Sequence, residues 1–151
     1  MREEGKLRFI GVSGYPLRIF REVLDRTDID TIITYCRYTL IDTSLLELLP
    51  YLEAKGVGII NASPFAMGLL TDSPPPSWHP APKEVQDACR KAAELAGDRL
   101  PAMALRFAVD NPNISSTLVG MSSTDQLKKN LTWLREAEAI EILKPVHNLG
   151  W

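Results

Sequence analysis

The chain has 151 residues, of which 45% are apolar and 24% are charged, and its formal net charge is −2. It is therefore long enough for one domain, over residues 1–151, and it offers no basic surface for nucleic acid or an anionic membrane. No apolar run approaches the roughly 18 residues that span a bilayer, the first residues do not resemble a signal peptide, and two cysteines are too few for a disulfide framework. We expect a cytoplasmic protein with no nucleic-acid or membrane partner.

Strands and helices alternate in the first half of the chain. Residues 7–12 form a short apolar run that predicts a strand, and Pro16 suits the start of a helix after it. Residues 31–35 are rich in β-branched side chains and predict the second strand. A leucine-rich helix should follow, which Pro50 should kink or break into two turns, before a third strand over residues 57–62.

The second half begins with a proline-rich stretch, residues 71–82, that predicts an irregular loop. Two helices should follow it, one over residues 83–96 and one from about residue 101 to residue 111. Residues 116–119 predict the fourth strand.

A final amphipathic helix should begin after the fourth strand. Ser123 and Gln126 have the spacing of a capping box, which marks the start of a helix. The apolar stripe expected to face the core contains Leu127, Leu131 and Leu134, and the amphipathic pattern continues to about residue 143. The repetition of strand and helix predicts a parallel sheet with right-handed crossovers. The pattern is compatible with a small open sheet and with an arc of a closed barrel.

Ligands of parallel α/β proteins bind at the carboxyl ends of the strands. The turn over residues 120–123, ahead of a capped helix, is the best candidate for binding a phosphate. The chain has neither a phosphate-loop motif nor a dinucleotide glycine fingerprint, and its two histidines, His79 and His147, are too far apart to predict a metal site. Tyr15 and Tyr35 lie near strand ends, where we expect packing or stacking because no lysine is close enough in sequence to lower a phenol pKa.

Three motifs in this order resemble those of the aldo-keto reductases. They are residues 6–13 (KLRFIGVS), residues 62–70 (ASPFAMGLL) and residues 119–131 (VGMSSTDQLKKNL). Residues 78–82 (WHPAP) and 45–71 are similar to the branch of the family that contains L-galactose dehydrogenase and other aldose dehydrogenases. The resemblance extends over roughly residues 6–135.

The resemblance implies an eight-unit (β/α)8 TIM barrel, a fold that typically takes about 250 residues. This chain would supply the C-terminal half, with strands five to eight. The family's catalytic Asp, Tyr, Lys and His come from strands one to four, so the resemblance assigns no catalytic residue here. The implied function is that of a fragment of an NAD-dependent aldose 1-dehydrogenase, which oxidises a sugar, L-galactose, to its lactone by hydride transfer.

The resemblance also implies cofactor contacts at the strand ends. Ser13 and Tyr35 should hold the nicotinamide carboxamide, and Tyr35 is a candidate for stacking on the ring because Ala62 replaces a tyrosine that is common there. The loop that wraps the pyrophosphate contains Ser63, Pro64, Phe65 and Met67. The region around the adenosine contains Gly120, Met121, Ser122, Ser123, Gln126 and Asn130.

The resemblance favours NAD over NADP. NADP-using members tend to place a lysine and an arginine near positions 120 and 126, where this chain has Gly120 and Gln126, although Lys128 and Lys129 lie close by. Trp78 and His79, on the proline-rich loop, are weak candidates for covering a sugar, and the alternative is an aromatic group packed at a turn.

Two other interpretations remain. One is a non-catalytic half-barrel that binds a nucleotide or contacts another subunit, with self-association through the exposed barrel edges. The other is a flavodoxin-like sheet, which is disfavoured because residues 11–16 carry neither a phosphate cradle nor an acidic cluster.

Overall fold

The computed structural model describes residues 1–135. The strands are β1 (Gly11–Gly14), β2 (Thr31–Tyr35), β3 (Gly58–Ala62) and β4 (Ser116–Leu118). The helices are α1 (Arg18–Leu24), α2 (Leu49–Ala54), α3 (Lys83–Ala96), α4 (Arg99–Val109) and α5 (Thr124–Arg135), with short 3-10 turns at Ser44–Glu47 and Ala66–Gly68. The amphipathic turns expected after residue 135, and His147, lie outside the described residues. Within residues 1–135 no helix is long and apolar enough to cross a bilayer.

The four strands form one parallel sheet in the order β1-β2-β3-β4. Its covered face carries Val12, Ile32 and Ile59, which pack against α1 and α2 in one core cluster. The opposite face carries residues such as Ser13, Tyr35 and Leu118, which are exposed. A doubly wound sheet reverses its strand order and has helices on both faces, so a sequential order with one covered face excludes the flavodoxin-like alternative. A sequential order of parallel strands with helices on one face is the arrangement found in the wall of a barrel.

A second core cluster lies outside the sheet, between α3, α4 and the loop after β3. Leu69 and Leu70 from the loop pack there with Val85 and Cys89 of α3 and with Leu100 of α4. The prediction of an irregular loop over residues 71–82 is confirmed, since no strand or helix forms there. This cluster holds the long loop against the two helices, and so positions the segment directly after β3.

Most predicted elements agree with the structure, and the first strand is the main correction. The strand predicted over residues 7–12 forms instead at Gly11–Gly14, because the neighbouring strand begins at Thr31 opposite Gly11. The N–H of Ile10 is bound by the Asp30 carboxylate at 2.7 Å rather than by a strand. The leucine-rich segment is divided into a 3-10 turn and α2, as predicted, but the break is at Leu48 and Pro50 lies in the first turn of α2.

The apolar stripe of the last helix is the second correction. Leu127 and Leu131 are 43% and 41% exposed, whereas the polar Asn130 is buried on the same helix. α5 packs on α4, and its rotation about its own axis turns Asn130 inward and leaves these leucines on the surface. Apolar spacing predicts a helix correctly, but the neighbouring element decides which side is buried.

Candidate functional site

Backbone strain is concentrated at the carboxyl ends of β2 and β3. Among the described residues, the non-glycine residues with positive φ are Cys36 (53°), Ser63 (60°), Ala66 (48°) and Met67 (52°). Side-chain sterics disfavour this region, at a cost of order 1–3 kcal/mol each, and such strain clusters at ligand sites. Cys36 directly follows β2 and Ser63 directly follows β3, and Ala66 and Met67 lie farther along the same loop after β3. A parallel α/β protein binds its ligand at this end of its strands.

Backbone hydrogen bonds hold these strained segments to the neighbouring strands. The Cys36 N–H donates to the carbonyl of Ala62 at 3.1 Å, and the Ser63 N–H donates to the carbonyl of Leu118 at 3.2 Å. Burial raises the pKa of the Cys36 thiol to about 11, so this group is a protonated, packed side chain at neutral pH. The two backbone hydrogen bonds therefore extend the pairing of neighbouring strands one residue beyond the ends of β2 and β3.

Ser13 and Tyr35 meet on the open face of the sheet. They lie on adjacent strands, and the Ser13 hydroxyl is hydrogen-bonded to the Tyr35 hydroxyl. Tyr35 is opposite Ala62 in the parallel register, so a small residue stands beside the ring on the next strand. The structure thus brings together the two residues predicted to contact the nicotinamide.

A second tyrosine lies at the same edge, after β1. The guanidinium of Arg37 lies 4.3 Å from the centre of the Tyr15 ring, and its Nη1 donates to Asp42 Oδ2 at 3.0 Å. The Asp42 carboxylate also accepts the Ser44 N–H at 2.8 Å. Burial raises the pKa of the Tyr15 phenol, which is therefore a neutral hydrogen-bond donor at physiological pH.

A cleft of about 570 Å³ lies between the loop after β3 and the start of α5. Seven of the predicted cofactor residues line it, from the loop after β3 and from the segment that leads into α5, more than fifty residues apart in sequence: Ser63, Pro64, Phe65, Met67, Gly120, Gln126 and Asn130. Such a volume is typical of a small-molecule site. The two predicted regions, for pyrophosphate and for adenosine, thus form the walls of one cavity.

Sequence reasoning missed several residues of this cleft. Thr71, Asp72 and Ser73 line it from the start of the proline-rich loop, and Trp133 lines it from α5. Phe65 and Trp133 meet edge to face, with ring centres 6.5 Å apart. Trp133 stands one helical turn after Lys129 and Asn130, so the helical spacing from Asn130 was the signal that pointed to it.

The start of α5 is capped by its own side chains. The Ser123 hydroxyl accepts the Gln126 N–H at 3.2 Å, as the capping box predicts, but Gln126 Oε1 accepts the N–H of Ser122 at 2.7 Å rather than that of Ser123. Met121, Ser122 and Ser123 are exposed beside the cleft and are not among its lining residues.

Trp78 and His79 have different surroundings. Trp78 is 70% exposed, whereas His79 is buried, with Nε2 within 3.1 Å of the Ala66 carbonyl and Nδ1 accepting the Ala81 N–H at 3.1 Å. The imidazole therefore ties the proline-rich loop to the strained segment after β3. Among residues 1–135, no three histidine, cysteine or carboxylate side chains lie close enough to hold a metal ion.

Comparison with known proteins gives consistent matches. A model of the aldo/keto reductase family matches residues 1–142. L-galactose dehydrogenase of Arabidopsis thaliana is 45% identical over 100% of this chain and 53% of its own length, and D-threo-aldose 1-dehydrogenase of Pseudomonas sp is 30% identical over 94% and 45%. The holo form of an aldo-keto reductase from Bacillus halodurans is 29% identical, with a TM-score of 0.73 over 91% of this chain and 46% of that one. The chain thus spans about half the length of the relatives it matches.

Proposed function

This chain belongs to the aldo/keto reductase family, whose enzymes use nicotinamide cofactors and have a TIM-barrel type of fold, and we propose that it holds the dinucleotide of an aldose 1-dehydrogenase. In this proposal its strands take positions five to eight of the barrel, and the whole enzyme oxidises L-galactose or a related aldose to the lactone. The similarity to two sugar dehydrogenases supports the substrate class.

The observation that carries the proposal is the single cleft formed by the two predicted cofactor regions. Bound NAD would supply a hydride acceptor, and the chain's own residues would bind and orient it. Ser63 and Met67 have positive φ, which turns the backbone of the loop around the cleft, and the adjacent start of α5 favours an anionic group such as a phosphate. Asn130, buried in the wall, offers both a donor and an acceptor.

We assign the nicotinamide end to Ser13 and Tyr35. They lie on β1 and β2, across β3 from β4, so a long ligand that extends from the cleft across the strand ends would reach them. The hydrogen bond to Ser13 fixes the Tyr35 ring, and Ala62 leaves space beside it. Tyr35 then supplies the aromatic surface for stacking.

We propose NAD rather than NADP because the cleft is nearly neutral. Its lining residues include one acid, Asp72, and one base, Lys129. Lys128 points away, since its ammonium lies 3.8 Å from the Asp125 carboxylate on the exposed side of α5. A doubly charged 2′-phosphate gains little from such a lining, whereas a ribose hydroxyl needs only hydrogen bonds.

Calorimetric titration of the chain with NAD and NADP tests the nucleotide proposal. We expect NAD to bind more tightly than NADP, and Asn130→Ala to weaken NAD by about tenfold, the loss of one or two hydrogen bonds. Asn113→Ala, at an exposed position in the α4–β4 connection, is the matched control and should have no effect. If NAD does not bind, or if both variants bind equally, the cleft is not the site.

A second candidate, a non-catalytic half-barrel that contacts another subunit, is favoured by one observation. Apolar side chains are exposed at both edges of the sheet: Phe9, just before β1, is 70% exposed, and Leu118, on β4, is 47% exposed. Leu127 and Leu131 are also exposed on α5. Unpaired strand edges next to apolar surface favour association. We propose self-association through these edges, and light scattering should show oligomers that Leu131→Glu reduces. A monomer at all concentrations contradicts this.

Both described cysteines are buried free thiols, which supports our proposal of a cytoplasmic location.

A further inference from the structure

The part of the strand-end surface that the nucleotide proposal does not use is formed by the loops that directly follow β1 and β2, beyond Ser13 and Tyr35. It contains Tyr15 and Arg37, on loops that follow adjacent parallel strands. Tyr15 is 37% exposed, so its ring is accessible to a ligand although the guanidinium lies against it. Neither residue lines the cleft.

The position of the Tyr15 ring is determined by buried polar contacts. The Arg37 and Asp42 side chains are only 18% and 6% exposed, and Asp42 is held in turn by the Ser44 N–H. The Leu45 N–H donates to the Arg37 carbonyl at 2.9 Å, which closes the turn between them. A guanidinium fixed in this way holds an aromatic ring at one angle, so little ordering is needed when a ligand binds.

The strand order places this ring at the end of the proposed ligand path. A ligand extending from the cleft at β3 and β4 passes Tyr35 on β2 and ends at the loop after β1. Neighbouring strands in a sheet are about 4.8 Å apart, so one small sugar ring is wide enough to contact the ends of both β1 and β2. A group that reacts with the far end of a dinucleotide in this path would lie near the loop that contains Tyr15.

We propose that Tyr15, held by the Arg37–Asp42 ion pair, is a stacking platform for the apolar face of a pyranose sugar. Aromatic rings bind a flat apolar surface, and the phenol offers a hydrogen-bond donor to the sugar hydroxyls around it. Tyr15 is thus a binding residue for the sugar and Arg37 is its positioning residue. This inference rests on the proposed sugar-oxidising function, because Tyr15 would bind the ring of the sugar that is oxidised.

The test is saturation-transfer NMR of the chain in the presence of NAD, with L-galactose as the ring ligand and glycerol as a polyol without a ring. Tyr15→Ala should weaken L-galactose about fivefold, the loss of one stacking contact, and Tyr15→Phe should keep most of the affinity. The matched control is Tyr51→Ala, which removes a ring that also lies under an arginine, Arg21 at 4.5 Å, on α2 and away from the strand ends. It should leave L-galactose binding unchanged.

Three results would overturn the inference: no L-galactose binding, equal binding of L-galactose by Tyr15→Ala, or an equal loss with Tyr51→Ala. If Tyr15→Ala does not fold, intermolecular Overhauser effects between sugar protons and the labelled Tyr15 ring of the unmodified chain decide the matter, and their absence contradicts the proposal. NAD titration of the same samples reports separately on the nucleotide function, so a failure of one proposal is distinguishable from a failure of the other.

Discussion

Replacing Phe65 by alanine should open the proposed nucleotide cleft. Phe65 lies in the loop after β3 and meets Trp133 of α5 edge to face, with the ring planes at 77°. This contact joins the two walls of the cleft, since both rings line it. Without the Phe65 ring, the loop loses its direct aromatic contact with α5 and must be ordered by the ligand instead.

The size of the effect follows from that one contact. An edge-to-face aromatic pair contributes about 0.5–1.5 kcal/mol beyond the burial of its area. If the ligand must supply this free energy on binding, the dissociation constant for NAD rises about 2- to 12-fold, since 1.4 kcal/mol is a factor of ten. The free energy of unfolding should fall by at least the same amount, because the half-buried ring is removed as well.

Tryptophan fluorescence measures the change directly. The chain has three tryptophans, so a Trp78→Phe, Trp151→Phe background leaves Trp133 as the reporter inside the cleft. NAD should quench it in this background, with a weaker apparent affinity in the Phe65→Ala variant. Phe9→Ala, which removes a ring that is 70% exposed and outside the cleft, is the control. Equal affinities for the background and Phe65→Ala, or an equal loss with Phe9→Ala, would refute this reasoning.

Three further predictions concern charge and protonation. Asp42→Ala leaves the largely buried Arg37 guanidinium without its carboxylate and should lower the free energy of unfolding by about 3 kcal/mol in urea titrations; a loss below about 1 kcal/mol would contradict this. The Asp30 carboxylate accepts hydrogen bonds from the Ile10 N–H and from the Arg2 guanidinium, and these lower its pKa. The ionised carboxylate therefore stabilises the folded chain above about pH 4, and this contribution is lost as the pH falls through the folded-state pKa. Asp30→Asn should therefore flatten the acid limb of stability against pH, and an unchanged limb would count against the assignment. Burial raises the thiol pKa of Cys36 and Cys89 to about 11, so neither should react with a thiol reagent at pH 8 until the chain is unfolded. Rapid labelling of either thiol in the folded chain would contradict the burial of these two side chains.

Local patterns predicted the elements well where the relevant forces are local. The strand at Thr31–Tyr35 and the helix at Lys83–Ala96 have the predicted bounds, because β-branched density and apolar spacing act within a few residues. α2 begins at Leu49, with Pro50 in its first turn, because a proline's missing N–H disrupts the hydrogen-bond ladder of a helix interior but not of its first turn. The first strand was misplaced because its limits depend on a partner twenty residues away.

The candidate site shows the same division. Motif resemblance pointed to residues that line the cleft, such as Ser63 and Gln126. It assigned Ser13 and Tyr35 to the same end of the proposed cofactor, and the structure brings their hydroxyls together. It did not predict Asp72 or Trp133, which are brought to the same cleft by a loop and a helix.

By itself, the amino-acid sequence determined the family, the alternation of strands and helices, and most of the loop residues that could hold a nucleotide. Only the tertiary structure decided that the helices cover one face of the sheet, that Asn130 rather than Leu131 is buried, and that Tyr15 lies against Arg37. The physical reason is range. Backbone propensity and side-chain spacing act between neighbours in sequence, whereas exposure, strand register and the pairing of an aromatic ring with a cation depend on where distant segments pack.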